Sequence, residues 1–156
     1  MNLPPDFKEL LEEFDRDAVE FVLIGGYAVA FHGRPRATKD IDLVVLGTAD
    51  NLARAATALR RFGAPPNVVT AIAALQESEV VFMGQAPLRV DFMRTIDGVV
   101  TAALFAEATE TELDGIRIKV ISLDHLIANK RAADRPQDRI DADFLEKIRA
   151  RNNQAR

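Results

Sequence analysis

Asp40 and Asp42 flank a single isoleucine at the head of the apolar run "DIDLVV". In an extended strand, residues two apart leave the same face, so both carboxylates project together while Ile41, Leu43 and Val45 point the other way. Two like charges about 6 Å apart repel by roughly 3 kcal/mol at an effective dielectric near 20. A bound cation offsets that repulsion. A third carboxylate, Asp91, interrupts the apolar stretch "LRVDFM", where a lone charge is costly unless it is paired or coordinates an ion. If the two strands are neighbours, Asp40, Asp42 and Asp91 form one cluster whose mutual repulsion divalent cations relieve, and three acids are enough for two such ions. The plainer alternatives are a solvated strand face, or salt bridges to Arg34, Arg36 or Lys39.

Upstream, "FVLIGGYAVAF" places Gly25 and Gly26 at the end of an apolar strand and before a short helix. Glycines there let the backbone approach a ligand without a Cβ in the way, and the free N–H groups of a helix start favour phosphate. A tight corner explains a Gly-Gly pair equally well. Neither G-x-G-x-x-G nor a GK[ST] sequence follows, so dinucleotide-binding and Walker-type readings find no support.

Composition narrows the chemistry further. The 156 residues, 48% apolar and 28% charged, suit one ordinary globular domain with a sizeable core. There is no cysteine, and the histidines are His32 and His125 alone. That removes disulfides, thiolate nucleophiles and cysteine-zinc sites, and leaves oxygen ligands for any metal, which favour magnesium or manganese. Both histidines read as structural. A net charge of −4 argues against a chain that coats nucleic acid, while leaving room for a local basic mouth at Arg34, Arg36 and Lys39. The longest apolar stretch, Phe21 to Phe31, is about half of what a bilayer needs, and the acidic start "MNLPPDFKELLEE" does not resemble a secretory signal. A cytoplasmic protein with no membrane partner is expected.

The elements that must position these residues follow from periodicity and breakers. Pro4 and Pro5 open a helix running to about Asp15, with Phe7, Leu10, Leu11 and Phe14 on one face. "AVEFVLI" reads as a buried strand, "YAVAFHG" as a helix stopped by Gly33, "RPRATK" as a loop and "DIDLVVL" as the second strand. "TADNLARAATALRRFG" is an amphipathic helix with Thr48 or Asp50 as cap and Gly63 at its end. "NVVTAIAALQES" is helical, and "EVVFMG" and "LRVDFM" form a hairpin through the turn "GQAP". "VVTAALFAEA" is a helix, "IRIKVIS" a strand, and Leu123 to Arg149 two charged helices divided near Arg135-Pro136. Phe7, Phe14, Phe62, Phe92 and Phe144 read as core. The whole is one α/β domain over residues 1–150, with 151–156 a frayed tail.

"GG", thirteen residues, "DID" and a later "VDF" together resemble the signature of the DNA polymerase β-type nucleotidyltransferase superfamily. Within it, "GGYAVAFHGRPRATKDIDL" with "ISLDHLIANKRAADRPQDRIDADFL" is similar to the AbiEii/MenT-type nucleotidyltransferase toxins and their small bacterial relatives, over about residues 20–145. The resemblance implies an α+β fold, a mixed sheet flanked by helices and closed by a C-terminal helical pair. It also implies magnesium- or manganese-dependent transfer of a nucleoside monophosphate from an NTP donor to an acceptor hydroxyl. By that resemblance Asp40, Asp42 and Asp91 are catalytic and hold the metals. Gly25, Gly26, Arg36, Thr38 and Lys130 bind the nucleotide, and Asp138 and Asp141 fit the late helical "K…R…D…D" pattern without an assigned role. Many superfamily members carry serine after the first glycine; Gly26 leaves only backbone there. The acceptor is left open among tRNA, protein and small molecule. A toxin–antitoxin role would add a cognate antitoxin or another partner protein. The alternative is a catalytically idle module that binds a nucleotide or a partner, as an antitoxin or regulatory subunit would.

Overall fold

A computed structural model describes residues 2–85 and 88–156; Ala86 and Pro87, in the expected "GQAP" turn, lie outside the described residues. Pro5 occupies the first turn of helix α1 (Pro5–Arg16), whose buried face is Phe7, Leu10, Leu11 and Phe14. Ala18 turns the chain with φ +53°, so strand β1 (Phe21–Ile24) begins three residues later than "AVEFVLI" suggests. Helix α2 (Gly25–Phe31) follows without a loop, and strand β2 (Asp40–Val45) returns. In helix α3 (Ala49–Phe62), the Thr48 hydroxyl caps the start by accepting from the Asn51 N–H, and Gly63 ends it with φ +96°, a conformation that disfavours residues with a Cβ. Helix α4 (Pro66–Ala73) precedes strands β3 (Val80–Gln85) and β4 (Leu88–Met93).

Helix α5 (Thr101–Ala106) leads to strand β5 (Thr109–Leu113), which the sequence reading does not contain, and strand β6 (Ile116–Val120). Asp114 and Gly115, with φ of +51° and +83°, form the two-residue turn between them, and positive φ at both positions matches the twist of a tight hairpin. Helix α6 (Leu123–Ala133) is capped by Ser122, and helix α7 (Pro136–Gln154) closes the fold. It extends past Arg149, where the second charged helix was expected to end, and through most of the supposed frayed tail.

The strands form one mixed six-stranded sheet in the order β3-β4-β2-β1-β6-β5. β1 runs antiparallel to β2 and parallel to β6, and β2 runs parallel to β4. Leu43 sits opposite Leu23 on one side and Phe92 on the other. The Phe14 ring lies 5.6 Å from Phe21 and 6.1 Å from Phe92, so α1 seals this face of the sheet. Phe14, Leu23, Leu43 and Phe92 are fully buried, and burying one such side chain contributes about 2–3 kcal/mol. Of the expected core aromatics, Phe7, Phe14 and Phe92 are buried, and Phe62 and Phe144 pack half-buried against the core. The side chains that alternate with these leave the opposite face, and it carries Asp40, Asp42 and Asp91.

Candidate active site

Register brings the carboxylates together. Asp42 is the Cα partner of Ile24 on β1 and of Asp91 on β4, while Asp40 faces Arg89. Directly opposed residues on neighbouring strands share a face, so Asp40, Asp42 and Asp91 lie on one side of two adjacent strands. Burial, then the negative charges of Asp91 and Asp40, push the Asp42 carboxyl up to about 6, against the opposing pull of Lys130 and Arg135. The acids therefore feel one another.

They do not form a closed metal cage. Among the described residues, no three acidic or histidine side chains converge closely enough to hold an ion. The reason lies in β4 itself, where Arg89, two residues before Asp91 and on the same face, donates from Nε at 2.7 Å and from Nη2 at 3.2 Å to its two carboxylate oxygens. A bidentate pair of this kind satisfies the carboxylate that a cation would otherwise claim. The sequence reading weighed Arg34, Arg36 and Lys39 as partners for the acids and did not consider Arg89.

The glycines are explained by what approaches them. Gly25 has φ +71°, and a Cβ there would overlap the Asp42 carboxylate, so backbone conformation and space both exclude a side chain. It is the first residue of α2 rather than part of a separate turn. Gly26 is excluded by space alone, because its Cβ would stand 2.6 Å from Thr38 Oγ1 and 3.3 Å from Arg36 Nη2. The Thr38 hydroxyl and the Arg36 guanidinium thus occupy the volume that a serine at position 26 would enter. Thr38 Oγ1 donates to the Asp40 carbonyl at 3.2 Å, fixing the approach to β2.

Arg36 and Lys130 meet on α7. Asp141, fully buried, lies 3.2 Å from Arg36 Nη2, 3.2 Å from Arg34 Nε and 3.4 Å from Lys130 Nζ, and it accepts from Gln137 Nε2 at 3.0 Å. Asp138 accepts from Lys130 Nζ at 3.2 Å and from Arg135 Nε at 2.7 Å. Burial pushes the Asp138 carboxyl up, and Arg135 and Lys130 outweigh it, holding the group below the ordinary carboxylate range. Arg34 and Arg36 are accordingly tethered to Asp141 rather than forming an open basic mouth, and Arg34 also lies over the Phe144 ring at 5.0 Å. Lys130 is 5% exposed, yet its charge and that of Arg135 reach Asp42. Asp138 and Asp141 thereby gain a definite role in anchoring the cations beside the carboxylate face. Arg135 pairs locally with Asp138 and also acts on the site.

His32 Nε2 donates to the Ile121 carbonyl at 2.7 Å, and His125 pairs with Glu107, in keeping with structural roles. A cavity of about 450 Å³ lies between the end of α1 and the β5–β6 edge, at the end of the sheet remote from β4. Its mixed acidic and basic lining does not converge on any reactive group. No helix among the described residues is long and apolar enough to cross a membrane.

A mixed sheet flanked by helices, with a Gly-Gly helix start facing a D-x-D strand and a third acid on the neighbouring parallel strand, defines a nucleotidyltransferase-type fold. Residues 5–156 match the family described as "Nucleotidyl transferase of unknown function (DUF2204)", and the chain belongs to that family. Solved structures of similar fold include the lincosamide antibiotic adenylyltransferase LnuA with lincomycin bound (TM-score 0.59, 16% identity, 95% of this chain and 99% of that one). ANT(2″)-Ia in complex with adenylyl-2″-tobramycin is similar at TM-score 0.54 and 16% identity, over 96% of this chain and 95% of that one. A proposed nucleotidyltransferase of Thermotoga maritima gives TM-score 0.57 and 15% identity, over 95% and 91% of the two chains. No curated protein matches the chain by sequence.

Proposed function

We propose that this protein transfers a nucleoside monophosphate from a nucleoside triphosphate to the hydroxyl of an acceptor. The acceptor oxygen bonds to the α-phosphorus, the bond from that phosphorus to the pyrophosphate oxygen breaks, and the hydroxyl proton passes to Asp91. Gly25 and Gly26 offer backbone to the β- and γ-phosphates, Thr38 offers its hydroxyl, and Arg36, Lys130 and Arg135 offset the charge of departing pyrophosphate. The observation that carries this reading is the register of Asp42 against Asp91 beside the Gly25 corner.

An all-oxygen donor set suits a hard divalent ion, and the negative charges of Asp91 and Asp40 add to burial in pushing the Asp42 carboxyl up. Asp40, Asp42 and Asp91 would hold magnesium or manganese, which supplies charge neutralisation and acidifies the acceptor hydroxyl. Asp91 must first turn from Arg89. LnuA is an adenylyltransferase for lincosamide antibiotics and ANT(2″)-Ia is seen with an adenylylated tobramycin, which favours a small-molecule acceptor here. The motif likeness to AbiEii/MenT-type toxins supports a toxin role restrained by an antitoxin as the rival biological setting.

The test is incubation with each α-labelled nucleoside triphosphate and magnesium, with and without cell lysate, comparing the wild type with Asp42→Ala. Label moves to an acceptor only with the wild type, while circular dichroism stays the same for both. Undiminished labelling by the variant refutes the assignment. The Arg89–Asp91 pair is the one observation that favours an idle nucleotide-binding module, and nucleotide binding without labelling in any fraction would establish that reading instead.

A further inference from the structure

β3 is the edge strand next to β4, and its side chains alternate sharply between two environments. Val81 and Met83 pack half-buried against the core, whereas Val80 and Phe82 are 55% and 58% exposed. Phe82 is the Cα partner of Asp91, so its ring leaves the sheet on the carboxylate face, one strand beyond the candidate base. The Arg89 guanidinium lies over that ring, its Cζ 4.7 Å from the centroid, while its fork holds Asp91. One exposed aromatic face, one cation and one acid that receives a proton thus stand in a row across β3 and β4. The triphosphate residues, Gly25, Thr38, Arg36 and Lys130, lie on the other side of Asp42, toward α2 and α7. On the β3 side of the carboxylates stand Phe82 and Arg89.

We infer that Phe82 and Arg89 form the acceptor subsite, which binds a ring-bearing small molecule with its flat face on Phe82 and an anionic substituent on the Arg89 guanidinium. The inference rests on the proposed transfer reaction, because it is Asp91 that fixes where the acceptor hydroxyl must lie. A large aromatic side chain more than half exposed in the middle of an edge strand costs solubility and invites association, and an adjoining reaction centre gives it a use. Stacking on an aromatic face tolerates many rings, so Phe82 contributes affinity while Arg89 selects charge. When Asp91 turns toward Asp42, the Arg89 fork loses its partner while its stack on Phe82 keeps it in place, and an anion on the acceptor becomes the new partner. A polycationic acceptor meets a like charge at that point. A nucleic acid fits less well than a small molecule. The platform offers a single ring and the chain carries a net charge of −4, whereas polyanion binding draws on a continuous basic surface.

Three naphthalenes of one shape test this: 2-naphthoate, 2-naphthylmethanol and 2-naphthylmethylammonium. Their fluorescence anisotropy is read against a protein that has no tryptophan, with magnesium present. The wild type is expected to bind the carboxylate about tenfold more tightly than the ammonium. Phe82→Ala should weaken all three probes by about tenfold. Arg89→Gln should keep ring binding and abolish the preference for the anion. Equal affinity of the wild type for all three probes, or binding indifferent to Phe82→Ala, overturns the subsite. Displacement of naphthoate by a single-stranded oligoribonucleotide at micromolar concentration overturns the small-molecule assignment. Unchanged affinity for a non-hydrolysable nucleoside triphosphate in both variants certifies that they are folded. Probe binding requires no turnover, so it can stand while Asp42→Ala retains labelling, or fall while the transfer reaction survives, and the two failures are read separately.

Discussion

Asp42→Asn should make the protein more stable and inactive at once, and the size of the gain follows from the site. A carboxyl held at about 6 in the folded state, against 3.8 in a free chain, costs the fold roughly 3 kcal/mol once it ionises. The asparagine variant carries no such charge between Asp40 and Asp91, so at pH 8 it should gain about 2–3 kcal/mol, allowing for local adjustment. For a chain of this size that is a rise in Tm of roughly 5–10 °C. The pH window is set by the same pair of values. Because the folded pKa is raised, the folded state binds the proton more tightly. The wild type loses this contribution between about pH 4 and pH 6 as the pH rises, and the deficit is constant above that. The difference between variant and wild type should therefore vanish near pH 4 and be full by pH 7. Urea denaturation at pH 4, 5, 6, 7 and 8 measures it directly. Magnesium added at pH 8 should raise the Tm of the wild type and leave the variant unmoved, since an ion that binds only the folded protein stabilises it by mass action. A variant no more stable than the wild type at pH 8, or a gain independent of pH, refutes the argument that Asp42 carries an uncompensated charge.

Asp141→Asn removes the acid shared by Arg34, Arg36 and Lys130, leaving the half-buried arginines without their carboxylate and the buried Lys130 with Asp138 alone, a change expected to cost about 3 kcal/mol by urea denaturation. Adding Lys130→Met should return part of that loss, whereas a purely additive double variant would show that Lys130 does not depend on Asp141. Gly25→Ala meets both a φ of +71° and the Asp42 carboxylate; it should lower stability by at least about 2 kcal/mol and weaken binding of a non-hydrolysable triphosphate in calorimetry. A neutral Gly25→Ala would show that the close approach is not required.

What the chain discloses by itself is what has a short period. The D-x-D pair needs only the alternation of a strand to place both carboxylates on one face, and Gly25 and Gly26 stand out because apolar strand and helix meet there without any other breaker. The partnership of Asp91 with Arg89 has the same two-residue period and is as legible in the chain as the D-x-D pair. β5 carries little strand signal because "TETEL" is polar at its first four residues and lies at a sheet edge, although the Asp114-Gly115 turn after it is the usual sign of a hairpin. The remaining features are tertiary. Asp138 and Asp141 look like any acids of a solvated helix until α7 packs on α6 and turns them toward Lys130, whereas the lack of any glycine or proline after Arg149 agrees with the extension of α7 to Gln154. Phe82 shows the limit most clearly. "VVFMG" is apolar at every second residue on both faces, so its composition predicts burial throughout. Whether Phe82 is core or platform depends on which half of the sheet the helices cover, and that is decided by α1 sealing the Phe92 face while the carboxylate face stays open at β3. A residue is legible in sequence when its neighbours along the chain determine its surroundings. Once its surroundings come from other elements, its chemistry becomes visible only in the fold.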